Sequence, residues 1–170
     1  MSKSAVVLGV PHQLQGPGFQ GYVPDPSYSR LVKTLMGGVD FVFEEATGRG
    51  PSIAEQLVGS SQRSVQYLDF DPTPADRPKH GIAKVVGGGW PIDPCNSSDA
   101  CETSTVEEQR KREELWLDRV LSKPFEKALV IVGLAHSLSF TFRLASKGIG
   151  VDESQNYIPH SRLCTRAHVS

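Results

Sequence analysis

The sequence predicts a single α/β domain, spanning residues 1–170, with a central, mostly parallel β-sheet flanked by helices. Short, β-branched apolar runs recur at "AVVLG" (5–9), "VDFVFEEA" (39–46), "SVQYLDFDP" (64–72) and "KALVIVGLAH" (127–136). The first and last of these lack polar alternation, the mark of strands covered on both faces. Segments with helical signals separate them, and strands alternating with helices imply parallel pairing through right-handed crossovers. A chain of 170 residues is long enough to bury one core without staples.

Each element has its own local signals. After the first strand, "VPHQLQGPGFQGYVPDP" is rich in Gly and Pro and reads as loop. Ser27 is a candidate N-cap for a helix over "SYSRLVKTLMGG", with Leu31 and Leu35 on one face and Gly37–Gly38 as its stop. Ser52 and Glu55 form a capping box ahead of the short helix "SIAEQLVGSS". "TPADRPKHGI" reads as irregular, and residues 83–103 as a long mobile loop insertion, with a short β-ribbon open at "IAKVVGG". Residues 104–123 read as a helix capped by Ser104 or Thr105, with Leu117, Val120 and Leu121 along one face and Lys123–Pro124 at its end. "SLSFTFRLASKG" is a helix stopping at Gly148, and "IGVDES" a fifth strand. The tail, 154–170, carries no decisive pattern.

Composition narrows the function classes. Hydrophobic residues make up 38% and charged residues 22%, ordinary for a globular protein. A net charge of −1 lacks the basic footprint of a nucleic-acid binder, so no nucleic acid is expected. No apolar run is long enough for a membrane span, and the N-terminus reads as a strand rather than a signal peptide. Three cysteines without CxxC spacing suit a reducing cytoplasm. Cys95 and Cys101 flank "NSSDA" and read as free thiols in a loop, with a small disulfide or metal ligation as alternatives.

In doubly wound folds ligands bind beyond the carboxyl ends of the strands. The four strands deliver His12, then Glu44 and Glu45, then Asp69 and Asp71, then His136 to those ends. Both histidines close a Gly-x-x-His motif, "GVPH" and "GLAH", whose glycine allows a sharp turn and a close approach. Two histidines with carboxylates suit Zn²⁺, Mn²⁺, Co²⁺ or Fe²⁺, and equally an acid–base pair without metal. Side chains alternate along a strand, so one of Glu44 and Glu45 faces the site and the other caps a helix or forms a salt bridge. Asp71 precedes Pro72 and reads first as a turn initiator. Arg112, in "QRKREE", reads as part of a solvated face, although the apolar side of its helix passes close by. His80 reads as a surface residue, and His160 and His168 carry little signal.

The motifs "GVPH" and "VIVGLAH", with a Glu at a strand end and an Arg in the helix before the last core strand, resemble the TraB/Tiki superfamily, whose relatives include the erythromycin esterases and the ChaN-like haem-binding proteins. The resemblance makes His12 and His136 the motif histidines, favours Glu45 as the motif Glu and assigns Arg112 as the motif Arg. It implies a site of His12, Glu45, Arg112 and His136; the strand-end position of Asp69, not the resemblance, adds Asp69 beside that site or as a further metal ligand. The chain departs from the pattern in being short, and Asp69 and Asp71 are not part of it.

The function expected is a small hydrolase acting on a small molecule or a peptide. In one form His12, Glu45, His136 and Asp69 hold Zn, Mn or Co, and Arg112 stabilises developing negative charge. In the other a histidine is the general base and Glu45 orients it. The alternatives are a protein that binds metal, haem or a metabolite without turnover, and an interaction protein with a vestigial site that works through the 83–103 loop and Trp90.

Overall fold

The computed structural model describes residues 2–19, 21–46, 50–73, 75–82 and 106–159. The 83–103 loop with Trp90, Cys95 and Cys101, the caps Ser104 and Thr105, and the tail from residue 160 with His160 and His168 lie outside the described residues.

Five strands form one parallel sheet: β1 (Ser4–Val10), β2 (Phe41–Glu44), β3 (Gln66–Asp69), β4 (Lys127–Gly133) and β5 (Gly150–Asn156). Their order across the sheet is β3-β2-β4-β1-β5. The single-domain α/β architecture is therefore as the sequence predicts. β1 and β4 are adjacent, and their register pairs Gly9 with Val132 and Val10 with Gly133. Both are buried on both faces, in keeping with their unbroken apolar runs. β5 is an edge strand, mostly exposed, and its polar sequence "GVDESQN" fits that place.

Helices cover both faces. α1 (Pro26–Leu35) and α2 (Ile53–Gly59) pack on one, where Tyr28, Val32 and Ala54 meet Val6, Leu8, Val42, Leu129 and Ile131. α3 (Val106–Leu121) and α4 (Ser137–Ser146) cover the other, where Trp116, Val120, Phe140 and Leu144 meet Ala5, Val7, Phe43, Val130 and Val132. Alternate residues of one strand thus feed opposite layers, as the pleat requires.

Several local expectations are corrected. The N-cap of α1 is Asp25, not Ser27: the Asp25 carboxylate accepts the Ser27 and Tyr28 N–H groups, and Pro26 sits where its missing N–H loses nothing. The buried face of α1 carries Tyr28 and Val32, while Leu31 and Leu35 pack only partly. β2 and β3 are shorter than their apolar runs, the flanking residues lying outside regular secondary structure. The "irregular" 73–82 segment contains a 3-10 turn, Arg77–His80, closed by Gly81 at φ +66°. Residues 154–156, counted with the tail, belong to β5. Ser52 caps α2 as predicted, its hydroxyl accepting the Glu55 N–H at 3.0 Å.

Candidate functional site

The carboxyl ends of β1, β2 and β4 meet where the two Gly-x-x-His motifs end. After β1 the chain turns through a 3-10 helix, His12–Leu14, which lifts His12 over the end of β4. After β4, His136 occupies the N-cap position of α4. Glycines clear the way, but not by turning the chain, since neither Gly9 nor Gly133 has a positive φ. Each leaves room for the other motif. A β-carbon on Gly133 would lie 2.8 Å from His12 Nε2 and 3.3 Å from Glu45 Oε2. One on Gly9 would meet Asn156 Oδ1 and lie 2.7 Å from the β-carbon of Ser137, the residue after His136.

Glu45 lies at the centre. Its Oε2 accepts the Gly133 N–H at 2.8 Å, and its Oε1 accepts from Arg112 Nη2 at 2.8 Å and lies 3.5 Å from His12 Nε2. Burial pushes the carboxyl up, but the charges of His12, His136 and Arg112 and the Gly133 N–H outweigh it and hold Glu45 down to about 2. Glu45 is thus an ionised carboxylate in the protein interior.

Glu44 points the other way, as the two-residue period demands. It accepts from Gln15 Nε2 at 2.9 Å, from Tyr67 OH at 2.9 Å and from Ser52 Oγ, the cap of α2. Burial raises its pKa against those three hydrogen bonds. The alternative between Glu44 and Glu45 resolves by geometry: Glu45 stands with Arg112 and His12, and Glu44 ties α2 to the sheet.

Arg112 is buried, and the solvated-face reading of "QRKREE" holds for only half the run. Arg110 and Lys111 pair with Glu107 and Glu114 on the exposed side. Arg112, Glu113, Trp116, Leu117 and Val120 form the inward stripe. Arg112 spans Glu45 and Asp71, its Nη2 lying 3.0 Å from Asp71 Oδ1, and it packs over the Trp116 ring with its guanidinium carbon 4.8 Å from the centroid. Asp71 also accepts from Trp116 Nε1 at 2.9 Å and from Arg77 Nη2 at 2.6 Å. Asp71 is therefore the anchor of the network rather than a simple turn initiator.

His136 is buried, its ring edge-on to Trp116 with centroids 4.9 Å apart, and its Nδ1 lies 2.8 Å from Glu113 Oε1. Glu113 is held in turn by Ser139 Oγ at 2.6 Å and Arg143 Nε at 2.7 Å. Burial raises the Glu113 carboxyl, but His136, Ser139 and Arg143 together leave it below its ordinary value. Glu45 and Asp71 share Arg112, Asp71 takes Arg77, and Glu113 takes Arg143, so each of these carboxylates has a guanidinium partner.

The structure thus brings His12, Glu45 and Arg112 into contact and packs His136 against the same Trp116 that underlies Arg112. Asp69 sits to one side: its Oδ1 accepts the N–H groups of Ala46 at 3.2 Å and Asp71 at 3.0 Å. His80 is exposed, as expected. Sequence reasoning missed Gln15, Arg77 and Glu113, and placed Asp71 at a strand end but read it first as a turn residue. Glu113 had a signal, since it shares the 112–113–116–117–120 stripe with Trp116. Gln15 had none, since the 3-10 turn that sets it three residues after His12 is visible only in the structure.

The donor set does not favour a metal centre. Among the described residues no group of three or more His, Cys, Asp or Glu is arranged to hold a metal ion. Both Glu45 oxygens are already engaged by Gly133 N–H and Arg112. Among the described residues, too, no helix is long and apolar enough to cross a membrane.

No protein-family model, curated protein or solved structure matches this chain.

Proposed function

We propose that this chain is a small hydrolase related to the TraB/Tiki superfamily, using His12 and His136 as an acid–base pair without a metal. The observation that carries the reading is the convergence of two imidazoles, each beside a buried carboxylate: His12 with Glu45, and His136 with Glu113. His12, whose side chain is 33% exposed, is the accessible base. Its Nε2 takes a proton from water as the oxygen attacks a carbonyl carbon, and Glu45 stabilises the imidazolium that forms. A protonated His136, oriented by Glu113, returns a proton to the leaving group. Arg112 serves by holding Glu45 rather than by meeting the substrate, because its Nε and Nη2 are spent on Asp71 and Glu45. The substrate class is a small ester or amide, peptides included. Placement in the cytoplasm belongs to the same proposal.

The test is turnover by untagged protein against esters, peptides and phosphoesters, with metal content measured alongside. Turnover by the wild type, reduced about 10²- to 10⁴-fold in both His12→Ala and His136→Ala while both stay folded, is the expected result. Absence of turnover across the panel overturns the hydrolase. Near-stoichiometric metal that is lost in both variants overturns the metal-free form and restores the Zn, Mn or Co site.

A further inference from the structure

The side chain of Gln15 is fully buried and every polar atom of it is engaged. Its Nε2 donates to Glu44 Oε1 at 2.9 Å and to the Glu45 carbonyl at 3.0 Å. Its Oε1 lies 2.5 Å from His12 Nδ1. Its backbone is fixed as well, the carbonyl accepting the Ile53 N–H at 2.6 Å and the N–H donating to the His12 carbonyl at 2.9 Å. Gly16 follows it, and a β-carbon there would lie 3.1 Å from Ser52 Cα, so this segment is pressed against the start of α2.

These contacts leave the amide one orientation. A backbone carbonyl can only accept, so the group facing the Glu45 carbonyl must be the amide nitrogen. The amide oxygen then faces His12, and it too can only accept. The proton between them sits on His12 Nδ1. A neutral imidazole carries one N–H, so Nε2 keeps its lone pair, and Nε2 is the atom that points at Glu45.

We propose that Gln15 is the positioning residue that holds neutral His12 in its Nδ1–H tautomer, leaving Nε2 as the free base of the site. The tautomer stands on geometry alone; its consequence for turnover rests on the hydrolase reading above. The orientation does not depend on Glu44, because the Glu45 carbonyl suffices to fix it. His136 reaches the same arrangement by another route, through a carboxylate at Nδ1.

Nitrogen-15 NMR of histidine-labelled protein at about pH 8 reads the tautomer directly, with His12→Ala assigning the signal. The expected wild-type spectrum has a protonated Nδ1 and a bare Nε2 at His12. Gln15→Met, which keeps the bulk and removes the acceptor, moves the signal toward the Nε2–H form or an average of the two. Glu44→Gln leaves it unchanged. A wild-type His12 found as Nε2–H, a Gln15→Met spectrum identical to the wild type, or a Glu44→Gln spectrum that changes would each overturn the assignment. If Gln15→Met does not fold, the wild-type and Glu44→Gln spectra still decide. Once a substrate is in hand, Gln15→Met lowers kcat about 100-fold with KM nearly unchanged. Failure to find any turnover sinks the hydrolase and leaves the tautomer result standing.

Discussion

His12 Nε2 stands 2.8 Å from where a β-carbon on Gly133 would be, so the glycine of the second Gly-x-x-His motif makes room for the histidine of the first. Gly9 does the reverse for the start of α4. The obstructed atoms differ in kind. At Gly133 it is the far end of a side chain, which can swing away; at Gly9 the Asn156 amide can also swing, but the Ser137 β-carbon belongs to the first turn of α4 and can move only with it. Gly9→Ala should therefore destabilise by about 1–3 kcal/mol. Gly133→Ala should cost less stability and instead displace His12 from Glu45. Thermal denaturation of both variants checks this, and a larger loss for Gly133→Ala than for Gly9→Ala would contradict it.

Arg112 is the cation that two buried carboxylates share. Arg112→Met keeps much of the packing over Trp116 but leaves Glu45 and Asp71 without that partner. A loss of about 3–5 kcal/mol is expected, larger than an ion pair at the surface would give. Urea unfolding measures it. Adding Glu45→Gln to Arg112→Met should recover part of the loss, since the uncompensated charge is then gone; a double variant no more stable than Arg112→Met alone would argue against the charge account.

Stability responds to pH in opposite senses at two acids. Burial raises Asp69, with Asp71 and Glu44 adding to it and two backbone N–H groups opposing, from an ordinary 3.8 to about 7. Between those values the folded protein keeps a proton that the unfolded chain has released, so stability falls as pH rises through that window. Glu45 lies low, so its contribution is complete above an ordinary 4.5 and is lost as pH falls toward about 2. Asp69→Asn retains the acceptor for Ala46 and Asp71 and should flatten the decline between about pH 4 and pH 7. Urea midpoints across that range, wild type against variant, give the comparison; parallel slopes would remove Asp69 as the cause.

Ser52 both caps α2 and donates to Glu44. Ser52→Ala should cost about 1 kcal/mol from the cap alone. It also removes one of the hydrogen bonds that oppose burial at Glu44, so the Glu44 titration should move to higher pH. Carbon-13 NMR of the carboxyl follows that shift, and a downward or absent shift would separate Ser52 from Glu44.

The fold was legible because β1, β2 and β4 are buried on both faces, and so appear as apolar runs between helical segments. The two histidines were legible because each falls one turn past such a run. Their support was harder to see. Arg112 and Glu113 sit inside a run of charges, and only the spacing to Trp116 separates the inward pair from its exposed neighbours. Asp71 looked like a turn residue because Pro72 follows it; two of its partners, Arg112 and Trp116, are over forty positions away and no local pattern links them. Gln15 resembled any polar loop residue. What no periodicity encodes is the purpose of the glycines, which depends on the register of β1 against β4.

That register also bears on how the chain is made. β1 pairs only with β4 and β5, both drawn from the C-terminal part of the sequence. While the chain grows from its N-terminus, β2 and β3 can pair early, but the most apolar strand of the first half waits unpartnered until residues 127–133 have emerged. Closing so long a loop is slow, and an apolar strand left open is a hazard for self-association during synthesis. The strand pair that assembles the two histidines thus waits for the C-terminal half of the chain, and a truncated chain ending before β4 would carry His12 just past a strand with nothing beside it.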